Sequence, residues 1–130
     1  MQLSKLEKVD LREVWKHEAL DFTSWLAKPE NLELLSDEIG IDISLIQTEA
    51  NVGNFNVDIL AEEENTGRKI VIENQLEPTN HDHLGKVVTY FANLDAKIAI
   101  WVSTDPRHEH VKAVNWLNES TPADQCFYAV

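Results

Sequence analysis

Phe55-Asn56-Val57-Asp58-Ile59-Leu60, followed after a polar stretch by Lys69-Ile70-Val71-Ile72-Glu73-Asn74-Gln75, decides how this chain is read. Both runs are rich in apolar and β-branched residues, and Glu64-Asn65-Thr66-Gly67 between them is polar and ends in glycine. The segment therefore predicts a β-hairpin. A register that pairs Glu63 with Arg68 also pairs Asp58 with Glu73. Side chains alternate along a strand and cross-strand neighbours stand about 5 Å apart at Cβ, so Asp58, Glu73 and Gln75 are expected on one face. Phe55, Val57, Ile59, Ile70 and Ile72 are expected on the other. Two carboxylates that close repel each other unless a cation or a proton intervenes. A divalent-metal site is the reading that follows, with a solvated acidic hairpin face as the plainer alternative. A helix from elsewhere is expected to cover the polar face.

Upstream of the hairpin, Trp25, Leu26, Leu32, Leu34, Leu35 and Ile39 recur at helical spacing, with Pro29 dividing the segment and Gly40 placed to stop it. Residues 41–49 alternate as a first strand through Ile41, Ile43 and Leu45. Downstream, Asn80 is placed to cap a helix carrying Leu84, Val87, Val88, Phe91 and Leu94. Residues 97–103 read as a fourth strand, buried because Ile98, Ala99, Ile100, Trp101 and Val102 form a continuous apolar run. Asp105-Pro106 opens another helix with His110 or Val111, Val114 and Leu117 on its stripe, and residues 125–130 read as a last strand. The order helix, three strands, helix, strand, helix, strand predicts a mixed sheet flanked by helices.

A chain of 130 residues with 43% hydrophobic content suits one domain over residues 1–130, with residues 1–28 as an N-terminal extension. The apolar ending at Val130 leads us to expect further chain beyond it, a C-terminal region absent here. No apolar run is long enough for a bilayer, and the N-terminus lacks a secretory pattern, so no membrane partner and a cytoplasmic location are expected. The single cysteine, Cys126, lies in an apolar segment and reads as a buried thiol. A formal charge of −12 argues against gripping nucleic acid over a broad surface. It leaves room for a compact metal-centred site, because a bound cation inverts the local charge.

With Val57-Asp58 on the second strand and Glu73-Asn74-Gln75 on the third, the chain resembles the restriction-endonuclease-like, or PD-(D/E)XK, nuclease superfamily over residues 29–130. That superfamily places an Asp at the hairpin and an acid followed two residues later by Lys. Gln75 stands where the lysine is expected, as it does in some restriction enzymes of the superfamily. Lys86 and Tyr90 have the spacing of a Gln-x-x-x-Tyr pattern often found on the next helix, and Lys86 replaces the lost charge. More narrowly, Val52-Gly53-Asn54-Phe55, Val57-Asp58-Ile59-Leu60-Ala61 and residues 72–86 resemble an uncharacterised bacterial family of longer proteins of this kind.

The resemblance implies an αβββαβ core and a Mg²⁺- or Mn²⁺-dependent endonuclease acting on DNA, in defence or DNA processing, with a homodimer among the assemblies it allows. Asp58, Glu73 and the backbone carbonyl of Asn74 would hold the ion, with Glu38 the first-helix acid by position and Glu30 or Glu33 not separable from it. Gln75 would orient the attacking water, because an amide does not titrate near neutrality. Lys86 shares a helix face with His83 and Tyr90, a face expected to look onto the carboxylates. Two other readings stay open: a catalytically inactive nuclease-like domain serving as a protein-interaction module, and a phosphoesterase acting on something smaller than DNA. His81 and His83 do not have zinc spacing on one helix face. His108 and His110 are expected on a helix surface, and Trp25, Trp101 and Trp116 in the core.

Overall fold

The computed structural model of the chain describes residues 22–52, 55–78, 81–105, 107–120 and 125–129. Two helices, α1 (Thr23–Leu26) and α2 (Pro29–Ile39), precede three strands, β1 (Ile43–Val52), β2 (Phe55–Glu63) and β3 (Lys69–Pro78). Then come α3 (His81–Asn93), β4 (Ile98–Asp105), α4 (His108–Ser120) and β5 (Cys126–Ala129). The strands form one sheet in the order β1-β2-β3-β4-β5. β1, β2 and β3 are antiparallel neighbours, whereas β3, β4 and β5 run parallel. Each parallel step is bridged by a helix, as a parallel connection requires.

Local chemistry explains the boundaries. Pro29 opens α2 because its missing N–H falls where a helix has no acceptor for one. Gly40 closes it in the left-handed conformation, φ 76°, and returns its N–H to the Ser36 carbonyl at 2.7 Å. At the hairpin turn, Gly67 also has positive φ, and Arg68 bonds the Glu63 carboxylate at 2.8 Å beside the turn.

Two apolar layers sandwich the sheet. Phe22, Leu26, Leu32 and Leu35 of the first helices pack on Ile59, Ile70, Ile72, Ile98 and Ile100. Val87, Tyr90 and Phe91 of α3 and Val114 of α4 pack on Val71, Ala99, Trp101 and Phe127 of the opposite face. β4 is buried on both faces, which is why its sequence runs apolar without alternation. No helix among the described residues is long and apolar enough to cross a membrane.

Several expectations are corrected. Trp116 is 63% exposed rather than core. It lies two residues past Val114, about 200° round the helix from the buried stripe. His110, read both as a stripe alternative to Val111 and as a surface residue, is buried four residues before Val114, with its ring 5.6 Å from that of Trp101. Val57 joins the α3 layer rather than the layer of Ile59, because alternation breaks down at Asp58. The first strand begins at Ile43 and runs to Val52, with a register shift between Leu45 and Gln47 that leaves Leu45 and Ile46 exposed on an edge strand. Cys126 is half-buried. The expected cap at Asn80 and the helix opening at Pro106 lie outside the described residues.

Candidate active site

β2 and β3 pair regularly from Glu62–Lys69 to Ile59–Ile72, the register that places Asp58 opposite Glu73. At that point side chains take over from the backbone ladder. The Asp58 N–H donates to Glu73 Oε1 at 3.2 Å, and the Asn74 N–H donates to Asp58 Oδ2 at 2.8 Å. Each strand thus hands a backbone donor to the other strand's carboxylate. The exchange seats both acids at the mouth of the opening hairpin with defined orientations.

Burial then sets their electrostatics. Glu73 is 3% exposed, and Trp101 is its partner on the parallel neighbour β4. Removal from water is the largest effect on its carboxyl and the charge of Asp58 the next, and together they push its pKa up to about 8. The Asp58 N–H and the Lys86 ammonium act in the opposite direction. At neutral pH and without a cation, Glu73 therefore retains a proton beside Asp58.

The helix expected over this face is α3. Lys86 is exposed yet close enough for its charge to favour the Glu73 carboxylate. Tyr90 is buried, and its hydroxyl pKa is raised by desolvation and then by the charges of Glu73 and Asp58. His83 belongs to α3, but its side chain lies outside the described residues. Gln75 is wholly buried, and its Oε1 accepts the indole N–H of Trp101 at 3.2 Å. The amide braces the wall beside Glu73. Asn74 presents its N–H to Asp58, and its side chain reaches the opposite layer, where Nδ2 donates to Thr23 Oγ1 at 3.0 Å.

Glu38 is not brought to this group. It is exposed on α2, as are Glu30 and Glu33, and that helix packs against the other layer. The structure instead reveals a residue the sequence reading passed over, Glu49. It falls between the pairs Thr48–Ile59 and Ala50–Val57, so it stands opposite Asp58 on β1. Its backbone is left-handed, φ 50°, and its Oε1 is buried with no hydrogen-bond partner among the described residues. Only an alternating strand was visible there in sequence; a positive φ on a glutamate has no local signature.

Among the described residues, no three His, Cys, Asp or Glu side chains converge to enclose an ion. The donor set is two carboxylates, hard oxygen ligands in a partly open site. That suits Mg²⁺ or Mn²⁺, which bind through one or two carboxylates and keep positions for water and phosphate. An acid driven to hold a proton by burial and then by its neighbour's charge is also a group that a cation would satisfy.

No family model matches the sequence, and neither does any curated protein. Solved structures do match. A repair endonuclease from Pyrococcus abyssi is similar with a TM-score of 0.55 at 14% identity, over 78% of this chain and 45% of that one. A structure of EndoMS in complex with double-stranded DNA is similar with a TM-score of 0.54 at 12% identity, over 80% of this chain and 44% of that one. The chain spans less than half the length of either. At these identities the likeness is one of fold, and the fold is the restriction-endonuclease-like αβββαβ core with a mixed sheet flanked by helices.

Proposed function

We propose that the chain is a metal-dependent nuclease domain that hydrolyses DNA phosphodiester bonds, with Asp58 and Glu73 as its centre. The observation that carries this reading is the buried Glu73 carboxyl, held against Asp58 by reciprocal backbone hydrogen bonds and pushed up to a pKa of about 8. Perturbed acids of this kind cluster at functional sites. A Mg²⁺ or Mn²⁺ ion held by Asp58 and Glu73, with the Asn74 carbonyl as a further oxygen, would activate water and neutralise charge on the phosphate.

The chain's own residues divide the remaining work. The Asp58 and Asn74 N–H groups orient the two carboxylates before any ligand arrives. Lys86 supplies positive charge at the exposed side of α3, where a phosphate would approach. Tyr90 keeps its proton beside two acids and remains a hydrogen-bond donor well above neutral pH. His83, on the same helix, is the further candidate for substrate contact. Gln75 does not remove a proton, so that role passes to a base other than the residue two places after Glu73.

DNA is the proposed partner. The structural neighbours that support this choice include a protein described as a repair endonuclease and another in complex with double-stranded DNA. With a net charge of −12, the domain would draw the basic surface for polyanion binding from a second copy or from additional chain. Defence or DNA processing in the bacterial cytoplasm is the setting we propose.

One observation favours a second reading, a nuclease-like domain without chemistry that serves as an interaction module. Gln75 is sealed in the core on Trp101 rather than facing a water site. The two readings separate in one assay. Plasmid and single-stranded DNA are incubated with Mn²⁺ or Mg²⁺ and either the wild type or Glu73→Ala. Metal-dependent cleavage lost in the variant supports the nuclease; intact wild-type DNA despite measured Mn²⁺ binding supports the module.

A further inference from the structure

Asn74 is an unexpected residue for its position. It follows Ile70 and Ile72 on the sheet face that α1 and α2 cover, where the surrounding side chains are apolar. It is 3% exposed, and its Oδ1 is buried with no hydrogen-bond partner among the described residues. A buried polar atom left unpaired carries its desolvation penalty with nothing to offset it. The other end of the same amide is well used: Nδ2 donates to Thr23 Oγ1 at 3.0 Å, and Thr23 is itself 2% exposed.

The backbone of Asn74 explains what this side chain achieves. β2 and β3 pair regularly only as far as Ile59–Ile72, and beyond it the Asn74 N–H is given to Asp58 Oδ2 at 2.8 Å. A peptide released from a ladder on that side is freer to rotate, and any rotation would move the carboxylate bonded to it. Fixing the side chain to a helix on the opposite face removes that freedom. Two hydrogen bonds in series, Thr23 to Asn74 and Asn74 to Asp58, run through the thickness of the sheet. We infer that Thr23 is a positioning residue of the metal site: through Asn74 it sets the orientation of the Asp58 carboxylate. The inference rests on the metal-binding reading above.

Hydrogen-bond partners of metal ligands are worth roughly 10–100-fold in affinity when removed. Thr23→Val keeps volume and removes the hydroxyl; Thr23→Ser keeps the hydroxyl. Thr23→Ala serves if the valine variant does not fold. Mn²⁺ affinity is measured by calorimetry on the full chain, with hydrogen exchange of the Asn74 amide followed by NMR without metal.

The expected result is a loss of about tenfold or more in Mn²⁺ affinity in Thr23→Val, faster exchange at Asn74, and recovery of both in Thr23→Ser. A folded Thr23→Val protein with wild-type affinity would overturn the role of Thr23 and leave the metal site standing, provided Asp58→Asn abolishes binding. A wild type that binds no Mn²⁺ would overturn both. A variant that only melts earlier, with affinity and Asn74 exchange unchanged, would make Thr23 an ordinary packing residue.

Discussion

Glu73 and Asp58 are locked together through their backbones: Glu73 accepts the Asp58 N–H at 3.2 Å, and Asp58 accepts the N–H of the residue after Glu73 at 2.8 Å. Neither acid is free to turn away from the other. The pair must therefore hold either a proton or a cation, and the choice is set by pH.

Stability should record that choice. The Glu73 pKa is raised from 4.5 to about 8 by folding. Between these values the native state binds more protons than the unfolded one, so without metal, stability falls as pH rises through this window and levels off above it. A bound divalent cation replaces the proton and flattens this fall. Melting curves from pH 5 to 9 should show Tm falling without metal, while the stabilisation by Mn²⁺ grows with pH. Equal stabilisation at pH 5 and pH 8 would count against Glu73 as a ligand.

Glu73→Gln tests the same balance from the other side. The amide oxygen can still accept the Asp58 N–H, but the charge is gone. In metal-free buffer at pH 8 the variant should be more stable than wild type, because a buried ion is replaced by a neutral group. Mn²⁺ affinity should fall by roughly 100-fold or more. A variant less stable than wild type at pH 8 would show that burial does not burden this carboxyl.

Lys86 is the nearby charge that favours ionised Glu73. Removing it in Lys86→Met should push the Glu73 pKa higher still and shift the pH dependence of Mn²⁺ binding to higher pH. Because Lys86 is exposed, its loss should leave the melting temperature at pH 5 nearly unchanged. A binding profile that stays in place would exclude Lys86 from the site.

Much of this arrangement is legible in sequence because its determinants are local. The pairing of Glu63 with Arg68 follows from turn composition, and the Glu63 N–H indeed donates to the Arg68 carbonyl at 2.9 Å. From that register, the proximity of Asp58 and Glu73 follows by counting. What sequence cannot show depends on contacts between distant elements. Thr23 and Asn74 meet across 51 residues, and Gln75 meets Trp101 across 26. The family resemblance offered Glu38 by its position on the first helix, but that position does not say which side of the sheet α2 will cover. On α4 the expected stripe of Val114 and Leu117 holds, with His110 taking the buried place for which Val111 was the alternative, and Trp116 falls off that stripe despite its size.

Gln75→Lys restores the residue that the PD-(D/E)XK pattern calls for. The native amide is wholly buried, and its Oε1 satisfies the Trp101 indole. Lysine offers no acceptor, so the indole N–H loses this partner, with a loss of about 1–3 kcal/mol in stability. The ammonium would at the same time lie near Glu73 and lower its pKa. If Gln75 marks weakened chemistry, the variant should cleave DNA faster than wild type while melting earlier. Slower cleavage together with lower stability would mean that the glutamine is part of the working site.

Glu49 supplies the last prediction, and it separates strain from function. A glutamate at φ 50° occupies a region where only glycine is at ease, and the buried Oε1 adds an unpaired polar atom. Burial also raises its pKa, so folding works against the charged form. Glu49→Gly relieves all three burdens. It should raise stability by about 1 kcal/mol against the glycine's greater freedom in the unfolded chain, as read by urea denaturation. The gain should be larger at pH 7 than at pH 4, because a raised acid lowers stability only above its unfolded pKa. If Glu49, opposite Asp58, also serves the site, the stabilised variant should bind Mn²⁺ more weakly than wild type. If affinity is unchanged, the strain at residue 49 belongs to the edge strand alone.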